Sequence, residues 1–340
     1  MDPVQALDRA LYLLDRDDAP REKKNAFRKA RERIIEVGPA ETLRRVQSGT
    51  ITDLPGIGKS TGEVISNAVN DVDGGYLEQL DRVSKVPTGL GGDLRAALQG
   101  DCHSHSTWSD GGGNLLEMAS AAKRLGHQYL AATDHSARLT IAHGLNEDRL
   151  RSQREELNAL NAKLAPFRIL SGMEVDIFED GTLDLSDEML STLDIVVASA
   201  HSKLDLEPAL MTRRLVTAVA NPHVNILGHM TNRKLSGTGR PPSRFDVEVV
   251  LAACARFNTA VEINCRPDRQ DPPEEILELA VEWGCYISID TDAHAPGQLE
   301  WLGYGCDKAV RCGVDPSRII NTWPADELVS WAADSGEPQT

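Results

Sequence analysis

From about residue 97 onward, short apolar, β-branched runs alternate with segments of helical periodicity. This alternation is typical of a parallel sheet, because parallel neighbours must be joined by a crossover, usually a helix. Since each run is followed by a helical segment of similar size, a closed or nearly closed barrel is favoured over an open sheet. The predicted strands are Ala97–His103, Tyr129–His135, Phe167–Val175, Asp194–His201, Val224–His229, Ala260–Asn264 and Tyr286–Asp292.

Six of the nine histidines stand at or just beyond the C-terminal ends of these predicted strands. In a parallel barrel these ends meet on one face, where active sites are built. His103 and His105 are two apart on extended backbone, so their side chains point to the same side. With three carboxylates, the predicted metal ligands are His103, His105, Asp110, His135, Glu174, His201, His229, Asp292 and His294. The remaining histidines, His127, His143 and His223, are interpreted as surface or helix-capping residues.

Nine candidate ligands exceed what one ion can use, so two or three divalent ions are predicted, with Glu174 as the bridge. The imidazole-rich set favours Mn, Zn or Fe over Mg or Ca. Three such cations against three carboxylates leave a net positive pocket, which suits a phosphate ester. A metal-bound water is the predicted nucleophile.

The N-terminal part follows helical patterns over Val4–Leu14, Arg21–Val37 and Thr42–Val46. A Leu-Pro-Gly-Ile-Gly run at 54–58 then precedes another helix. Glycines two apart at a helix start permit a tight hairpin and let backbone N–H groups approach an anion. The Gly-Lys-Ser that follows is not a P-loop, because position 53 is Asp where that motif requires Gly. The predicted phosphate-contacting residues are Gly56, Gly58, Lys59 and Ser60, and a plain helical turn is the alternative.

The net charge of −16 argues against a protein that coats nucleic acid, but the charge is unevenly distributed. Residues 1–100 contain 15 Lys and Arg against 16 Asp and Glu, and residues 21–33 contain seven basic and two acidic residues. This run is either a basic face for phosphates or a solvated helix face with ion pairs.

The 340 residues predict a helical module over 1–85, a Gly-rich linker over 86–98 and an α/β barrel over 99–340. No apolar run approaches the length of a membrane span, and the first residues lack the pattern of a signal peptide, so a cytoplasmic protein is expected. The six scattered cysteines are expected to be reduced thiols. The sequence does not indicate an oligomeric state.

The residues at the strand ends resemble the polymerase and histidinol phosphatase (PHP) family. The matching motifs are Cys102-His103-Ser104-His105, Ser109-Asp110-Gly111, Thr133-Asp134-His135-Ser136, Gly172-Met173-Glu174-Val175-Asp176, Ser199-Ala200-His201, Leu227-Gly228-His229, Glu262-Ile263-Asn264 and Thr291-Asp292-Ala293-His294. The sequences of these motifs are most similar to the C-terminal part of bacterial family X DNA polymerases. The N-terminal module is similar to the helix-hairpin-helix domain of those polymerases. Cys102 and Met230 depart from the usual Leu and Pro.

This resemblance implies a distorted seven-stranded (β/α)7 barrel and a trinuclear site. One ion would take His103, His105, Glu174 and Asp292; a second Glu174, His201 and His229; a third Asp110, His135 and His294. Only about 30 residues separate the hairpin region from the first strand, too few for a polymerase palm. The family comparison therefore implies hydrolysis without polymerisation.

The predicted function is hydrolysis of phosphate esters at DNA 3′ ends, as an exonuclease or 3′-phosphatase, with the hairpin binding the DNA backbone without sequence specificity. Lys203, Arg233 and Arg269 are predicted to hold the non-reacting phosphate oxygens, and ion pairing on the barrel rim is their alternative role. Two other functions remain open: a small-molecule phosphatase of the histidinol phosphatase type, and a non-catalytic DNA-binding module.

Overall fold

The computed structural model describes residues 1–87, 89–236 and 239–334. These form two compact units, one of Met1–Val86 with Pro296–Gln298 and the other of Pro87–Ala295 with the residues from Leu299 onward. Part of the predicted linker, Gly92–Ala97, is helical and belongs to the second unit. Thr88 of that linker and residues 335–340 of the predicted barrel domain lie outside the described residues.

The first unit is entirely helical, with a core of Leu7, Leu14, Phe27 and Ile65, all almost completely buried. The first helix begins where the Asp2 carboxylate accepts hydrogen bonds from the backbone N–H groups of the first turn. The second helix continues through the segment expected to be a separate helix, with a kink at Gly38, whose φ is 77°. The helices are α1 (Pro3–Arg16), α2 (Arg21–Gln47), α3 (Lys59–Val69) and α4 (Tyr76–Ser84).

The second unit alternates strands with helices, as predicted. Its strands are β1 (Gly100–Asp101), β2 (Tyr129–Ala132), β3 (Arg168–Asp176), β4 (Ile195–Ser199), β5 (Ile226–Leu227), β6 (Ala260–Asn264) and β7 (Ile287–Asp290). Its helices are α5 (Gly92–Ala97), α6 (Leu115–Arg124), α7 (Glu147–Leu164), α8 (Asp187–Leu190), α9 (Pro208–Val219), α10 (Val247–Phe257), α11 (Glu274–Glu282), α12 (Leu302–Arg311) and α13 (Ala325–Ala333). Most strands are shorter than their apolar runs, because the polar end of each run leaves the ladder to enter a loop.

All seven strands are parallel and pair in sequence order from β1 to β7. The edge strands approach each other through a parallel bridge between Ser104 and Ala293. The backbone N–H of Cys102 also donates to the Asp290 carboxylate at 2.8 Å. The predicted fold class, a distorted seven-stranded α/β barrel preceded by a helical module, is confirmed.

An apolar cluster fills the end of the barrel where the strands begin. Leu328 and Ala332 of α13 share this cluster with Tyr129, Ile195 and Ile226, which are the first residues of β2, β4 and β5. The opposite end, where the strands finish, is therefore left for polar side chains.

All six cysteines are buried and unpaired. Among the described residues, no helix combines the length and apolarity needed to cross a bilayer.

His127 was expected to be a surface or helix-capping residue, but it is buried in the turn between α6 and β2. It is 4% exposed, and neither of its ring nitrogens has a hydrogen-bond partner among the described residues. Burial, together with the charge of Arg95, lowers its pKa from 6.5 to about 3. The unfolded chain therefore binds a proton that the folded chain rejects, and stability falls as pH decreases from 7.

We expect His127→Gln to remove this dependence. Between pH 7 and pH 5, the free energy of unfolding of the wild type should fall by about 2 kcal/mol more than that of the variant, as measured by denaturant titration. The exposed His143→Gln should follow the wild-type profile. Parallel pH profiles for the wild type and His127→Gln would contradict the assignment.

Candidate metal centre

The nine predicted ligands lie at the C-terminal end of the barrel. The strand order positions them, since each follows or ends a strand that pairs with its sequence neighbour. His103, His105 and Glu174 are almost fully buried, whereas the side chains of Asp110 and His294 remain 35% and 23% exposed. The cluster is therefore closed at its floor and open on the Asp110 side.

Glu174, on β3, is the centre of this cluster. Five imidazoles approach its two carboxylate oxygens: His229 Nε2 at 2.9 Å, His201 Nε2 at 3.2 Å, His135 Nδ1 at 2.8 Å, His103 Nε2 at 3.4 Å and His105 Nε2 at 3.6 Å. One carboxylate thus borders ligands from β1, β2, β4 and β5.

Three groups of side chains bring their ligand atoms within 4.8 Å of one another. They are His103 with His105 and Glu174; His135 with Glu174 and His201; and His105 with Asp110, His135 and His294. Asp292 joins the first group, with its Oδ1 3.2 Å from His105 Nε2. The arrangement differs from the expected ligand sets in that His105 and His135 each border two groups.

The donor atoms fit divalent cations. His103 Nε2, both nitrogens of His105, His135 Nδ1 and Glu174 Oε2 are buried and lack hydrogen-bond partners. Buried polar atoms are costly unless they are satisfied, so three unsatisfied imidazole nitrogens within 3.6 Å of one carboxylate oxygen fit a bound cation. Imidazole with carboxylate is a donor set suited to Zn, Mn or Fe.

The electrostatics of the cluster agree with this interpretation. Burial and the neighbouring His294 and His135 lower the pKa of His105 well below its usual value. Burial opposes ionisation of Glu174, but the surrounding histidines outweigh it and keep its pKa well below the usual range. Burial likewise opposes a proton on His201, yet Glu174 and Asp176 raise its pKa to about 9. The carboxylates therefore favour a proton on His201, whereas burial and neighbouring imidazoles disfavour a proton on His105.

Two further buried carboxylates, Glu262 and Asp176, orient the ligands from behind. Glu262 Oε1 is 2.5 Å from His103 Nδ1, and its other oxygen accepts the backbone N–H of His229. Asp176 Oδ1 is 3.1 Å from His201 Nδ1. Contacts of this kind fix the tautomer and leave Nε2 as the atom that would bind a cation. Both residues lie in the family-like motifs but were given no role there. A carboxylate inside an otherwise apolar strand is itself a sign of a functional residue.

Asp134, beside His135, fastens the loop that carries Asp110. Its carboxylate accepts hydrogen bonds from Ser106 N at 2.8 Å, Ser106 Oγ at 2.7 Å, Ser109 N at 3.1 Å, Ser109 Oγ at 2.5 Å and Gln153 Nε2 at 2.5 Å. This residue therefore shapes the site without being one of the clustered ligands.

The backbone has a positive φ at two of the predicted ligands, 50° at Asp292 and 21° at His229. A left-handed conformation such as that of Asp292 costs a non-glycine residue about 1–3 kcal/mol. Beside another ligand, a Cβ on Gly228 would lie 2.3 Å from Ser199 Oγ, so only glycine fits directly before His229. Close packing at this point sets the position of the His229 backbone.

The three predicted phosphate-binding cations have different surroundings. Arg269 Nε lies 3.9 Å from Asp292 Oδ2, and its Nη1 is buried without a partner among the described residues. Arg233 uses its guanidinium on backbone carbonyls, including that of Arg269 at 3.0 Å. Lys203 is exposed two residues after His201. Arg266, which sequence reasoning did not select, has Nη1 3.2 Å from His294 Nδ1.

Comparison with known proteins identifies the barrel. Residues 101–266 match the family described as PHP domain. The barrel is a PHP domain. The chain is 41% identical over 224 residues to the DNA polymerase/3′-5′ exonuclease PolX of Bacillus subtilis (strain 168), a match that covers 66% of this chain and 39% of that protein. The chain thus spans well under half of that relative.

Other relatives are shorter. A probable phosphatase of Thermoanaerobacter sp. (strain X514) is 29% identical over 234 residues, covering 65% of this chain and 89% of that protein. Among solved structures, the histidinol phosphate phosphatase of Lactococcus lactis, complexed with Zn, L-histidinol and phosphate, has a TM-score of 0.44 and 19% identity, covering 63% of this chain and 92% of that one. The relatives matched over the barrel are thus described as an exonuclease and as probable phosphatases, both of which hydrolyse phosphate esters.

The predicted DNA-contacting residues all belong to the helical unit. Gly56 has a φ of 87° in the hairpin, and Gly58 N donates to Thr61 Oγ1 at 2.8 Å at the start of α3. Gly56, Gly58 and Lys59 are exposed, and Ser60 is half-buried, while the intervening Ile57 packs into the core. Ile57 therefore fixes the hairpin to the core, and Gly56 and Gly58 remain exposed to solvent.

Replacing Asp134 with Asn would set an amide N–H₂ against serine and backbone donors and loosen the Asp110 loop. We expect affinity for Mn²⁺ or Zn²⁺ to fall by about 10- to 100-fold, measured by calorimetric titration. Asp194→Asn is the matched control, since that carboxylate accepts from Ser171 N at 2.8 Å just before β4 begins, at the far end of the barrel. Equal metal binding by the wild type and Asp134→Asn would contradict the role.

Proposed function

We propose that this chain hydrolyses phosphate esters at DNA 3′ ends, as an exonuclease or 3′-phosphatase. The observation that carries the proposal is the set of unpartnered, buried imidazole nitrogens around Glu174 at the C-terminal end of the barrel. Its resemblance to a polymerase/3′-5′ exonuclease at 41% identity favours DNA as substrate.

We further propose that the cluster holds three divalent ions, with Mn, Zn and Fe as the candidates. The first would be held by His103, His105, Glu174 and Asp292; the second by Glu174, His201 and His229; and the third by Asp110, His135 and His294. When bound, such ions supply Lewis acidity, which activates water and stabilises the leaving oxygen.

The protein's own groups bind and orient the ester. The open side of the cluster, at Asp110 and His294, is where a phosphate enters. Arg269 is placed to donate to a non-reacting phosphate oxygen through its unpartnered Nη1. Lys203, exposed beside His201, adds a second positive charge at the rim. Arg233 contributes indirectly, because its guanidinium donors hold the backbone that carries Arg269.

The hairpin of the helical unit is the proposed grip on the DNA backbone. Much of the basic run in α2 is already paired: Arg31 with Asp8, Lys24 with Asp15 at 3.5 Å and Arg33 with Glu36 at 2.7 Å. Lys29 differs, since it is exposed and its Cβ would lie 3.7 Å from a side chain on Gly56. Lys29 and Lys59 therefore flank the hairpin as the cations available to phosphates.

A small-molecule phosphatase is the second candidate. The chain covers 89% of a protein described as a probable phosphatase, which shows that the match is not confined to DNA polymerases. The ratio of kcat/KM for a DNA 3′ end to that for a small phosphate ester separates the two candidates.

With Mn²⁺ supplied, we expect the wild type to hydrolyse a 3′-recessed duplex with a higher kcat/KM than histidinol phosphate or an aryl phosphate. His103→Ala should reduce hydrolysis to the level of metal-stripped protein and leave DNA binding unchanged, because the hairpin is in the other unit. His143→Ala, an exposed histidine outside the cluster, is the control. Unchanged turnover by His103→Ala would overturn the metal centre, and a preference for histidinol phosphate would favour the second candidate.

Lys29→Ala combined with Lys59→Ala should weaken duplex binding and lower the slope of log K against log salt by about 2, since each phosphate contact contributes about 0.9. Fluorescence anisotropy at several salt concentrations measures both quantities. The matched control is Arg31→Ala combined with Lys24→Ala, which removes the same two charges from cations already paired with Asp8 and Asp15 and should leave the slope nearly unchanged. Equal slopes for the two double variants would show a diffuse charge effect instead of defined phosphate contacts at the hairpin.

A further inference from the structure

Lys308, on α12, is a buried cation whose ammonium is bound by backbone alone. It is 4% exposed, and its Nζ donates to Gln270 O at 2.6 Å and to Pro272 O. Among the described residues, no carboxylate lies within ion-pairing distance of it. Buried lysines are rare without a paired carboxylate, so the arrangement calls for a reason beyond packing.

A second cation reaches the same segment from the other side. Arg233 donates from Nε to Arg269 O at 3.0 Å and from Nη2 to Gln270 O. Gln270 O thus accepts hydrogen bonds from Arg233 and Lys308 together, at a residue whose φ is 46°. The strained turn is held between two positive charges.

The same turn is also tied to the loop after β5. The Asp271 carboxylate accepts hydrogen bonds from Thr231 Oγ1 at 2.7 Å and Thr231 N at 3.1 Å. Asp271 O in turn accepts from Asn264 N at 2.8 Å, at the end of β6. Three consecutive residues, 269–271, therefore have their carbonyl oxygens fixed from outside the turn.

The residue that this turn presents to the site is Arg269. Its Nη1 is buried without a partner among the described residues, and its Nε is 3.9 Å from Asp292 Oδ2. Arg233 holds the carbonyl of Arg269, and Arg233 and Lys308 together hold the carbonyl of Gln270. The direction of the Arg269 guanidinium therefore depends on these hydrogen bonds.

The charges agree with a site that receives an anion. Burial, and then the charge of Arg233, lower the pKa of Lys308 to about 8. Arg233 is itself bound to the carbonyl of Arg269. Lys308, Arg233 and Arg269 thus place three cations around one turn, where a phosphate would offset their repulsion.

We propose that Lys308 is a positioning residue: by fixing the carbonyls of Gln270 and Pro272, it aims Arg269 at a non-reacting oxygen of the substrate phosphate. This inference rests on the proposed phosphoester hydrolysis. It adds a residue from α12, about 14 residues beyond the last ligand in the sequence, to the phosphate subsite.

The test is a double-mutant cycle of Lys308→Met and Arg269→Met, assayed on bis(p-nitrophenyl) phosphate and on a 3′-recessed duplex. Each single variant should lower kcat/KM by about 10- to 100-fold, the range for losing a charge-assisted hydrogen bond. The double variant should be no worse than Arg269→Met, because Lys308 acts through Arg269. Metal content should remain at the wild-type level in all of them.

Binding of inorganic phosphate to metal-loaded protein, measured by calorimetry, gives a readout that does not need turnover. Lys308→Met and Arg269→Met should weaken phosphate binding by similar factors, again without further loss in the double variant. Arg311→Met is the matched control, because it removes a cation from the same helix that pairs with the surface carboxylate of Glu274. It should bind phosphate as the wild type does.

Multiplicative losses in the cycle, or phosphate binding by Lys308→Met within twofold of the wild type, would overturn the proposal and leave Lys308 a purely structural residue. Should Lys308→Met fail to fold, Lys308→Gln takes its place in the cycle, and Arg233→Gln, which removes one of the two cations on the Gln270 carbonyl, must show the same dependence on Arg269. Turnover of the aryl ester without cleavage of DNA would refute the DNA substrate but leave this cycle fully readable.

Discussion

The attraction between the Glu174 carboxylate and the imidazoles around it is the interaction on which the upper half of the barrel depends. His229 and His201 approach one oxygen at 2.9 and 3.2 Å, and the other oxygen is buried without a hydrogen bond. In this low-dielectric setting an unpaired carboxylate is costly, so positive charge must be supplied either by protons or by metal ions. Metal binding and stability of the barrel are therefore coupled through this one side chain.

Closure of the barrel uses polar side chains where a strand ladder is absent. Asp101 accepts from Thr291 Oγ1 at 2.5 Å, and Asp290 accepts from Cys102 N at 2.8 Å and from Asn321 Nδ2 at 3.0 Å. Burial and the charge of Asp290 raise the pKa of Asp101. Burial and the charge of Glu262 raise the pKa of Asp290. The seam that joins β1 to β7 is thus built from carboxylates lying directly beneath the ligands His103 and Asp292, which links the shape of the barrel to the shape of the site.

The fold and the gathering of the nine predicted ligands at one end of the barrel could be predicted because both rest on local regularities. Apolar runs bounded by histidine or carboxylate mark strands whose ends share a face, and the strand order then brings Glu174 beside His201 and His229 without further information. The strand lengths could not be predicted equally well, because the polar ends of the runs at 97–103 and 224–229 are bound by side chains and loops instead of by neighbouring strands. The kink that joins two expected helices at Gly38 is likewise a backbone event that helical periodicity does not record.

What the sequence by itself determined is the parallel barrel, the six imidazoles with three carboxylates, and the hairpin glycines, since periodicity and spacing along the chain are enough to place them. Only the tertiary structure decided which polar groups support those residues. Asp134 fixes the loop of Asp110, 24 residues earlier in the chain, by accepting a hydrogen bond from Ser109 Oγ at 2.5 Å. Lys308 donates to the carbonyl of Gln270, 38 residues earlier. Such contacts depend on distances between elements that are remote in sequence, and a hydrogen bond forms or fails within a few tenths of an ångström that no spacing rule specifies.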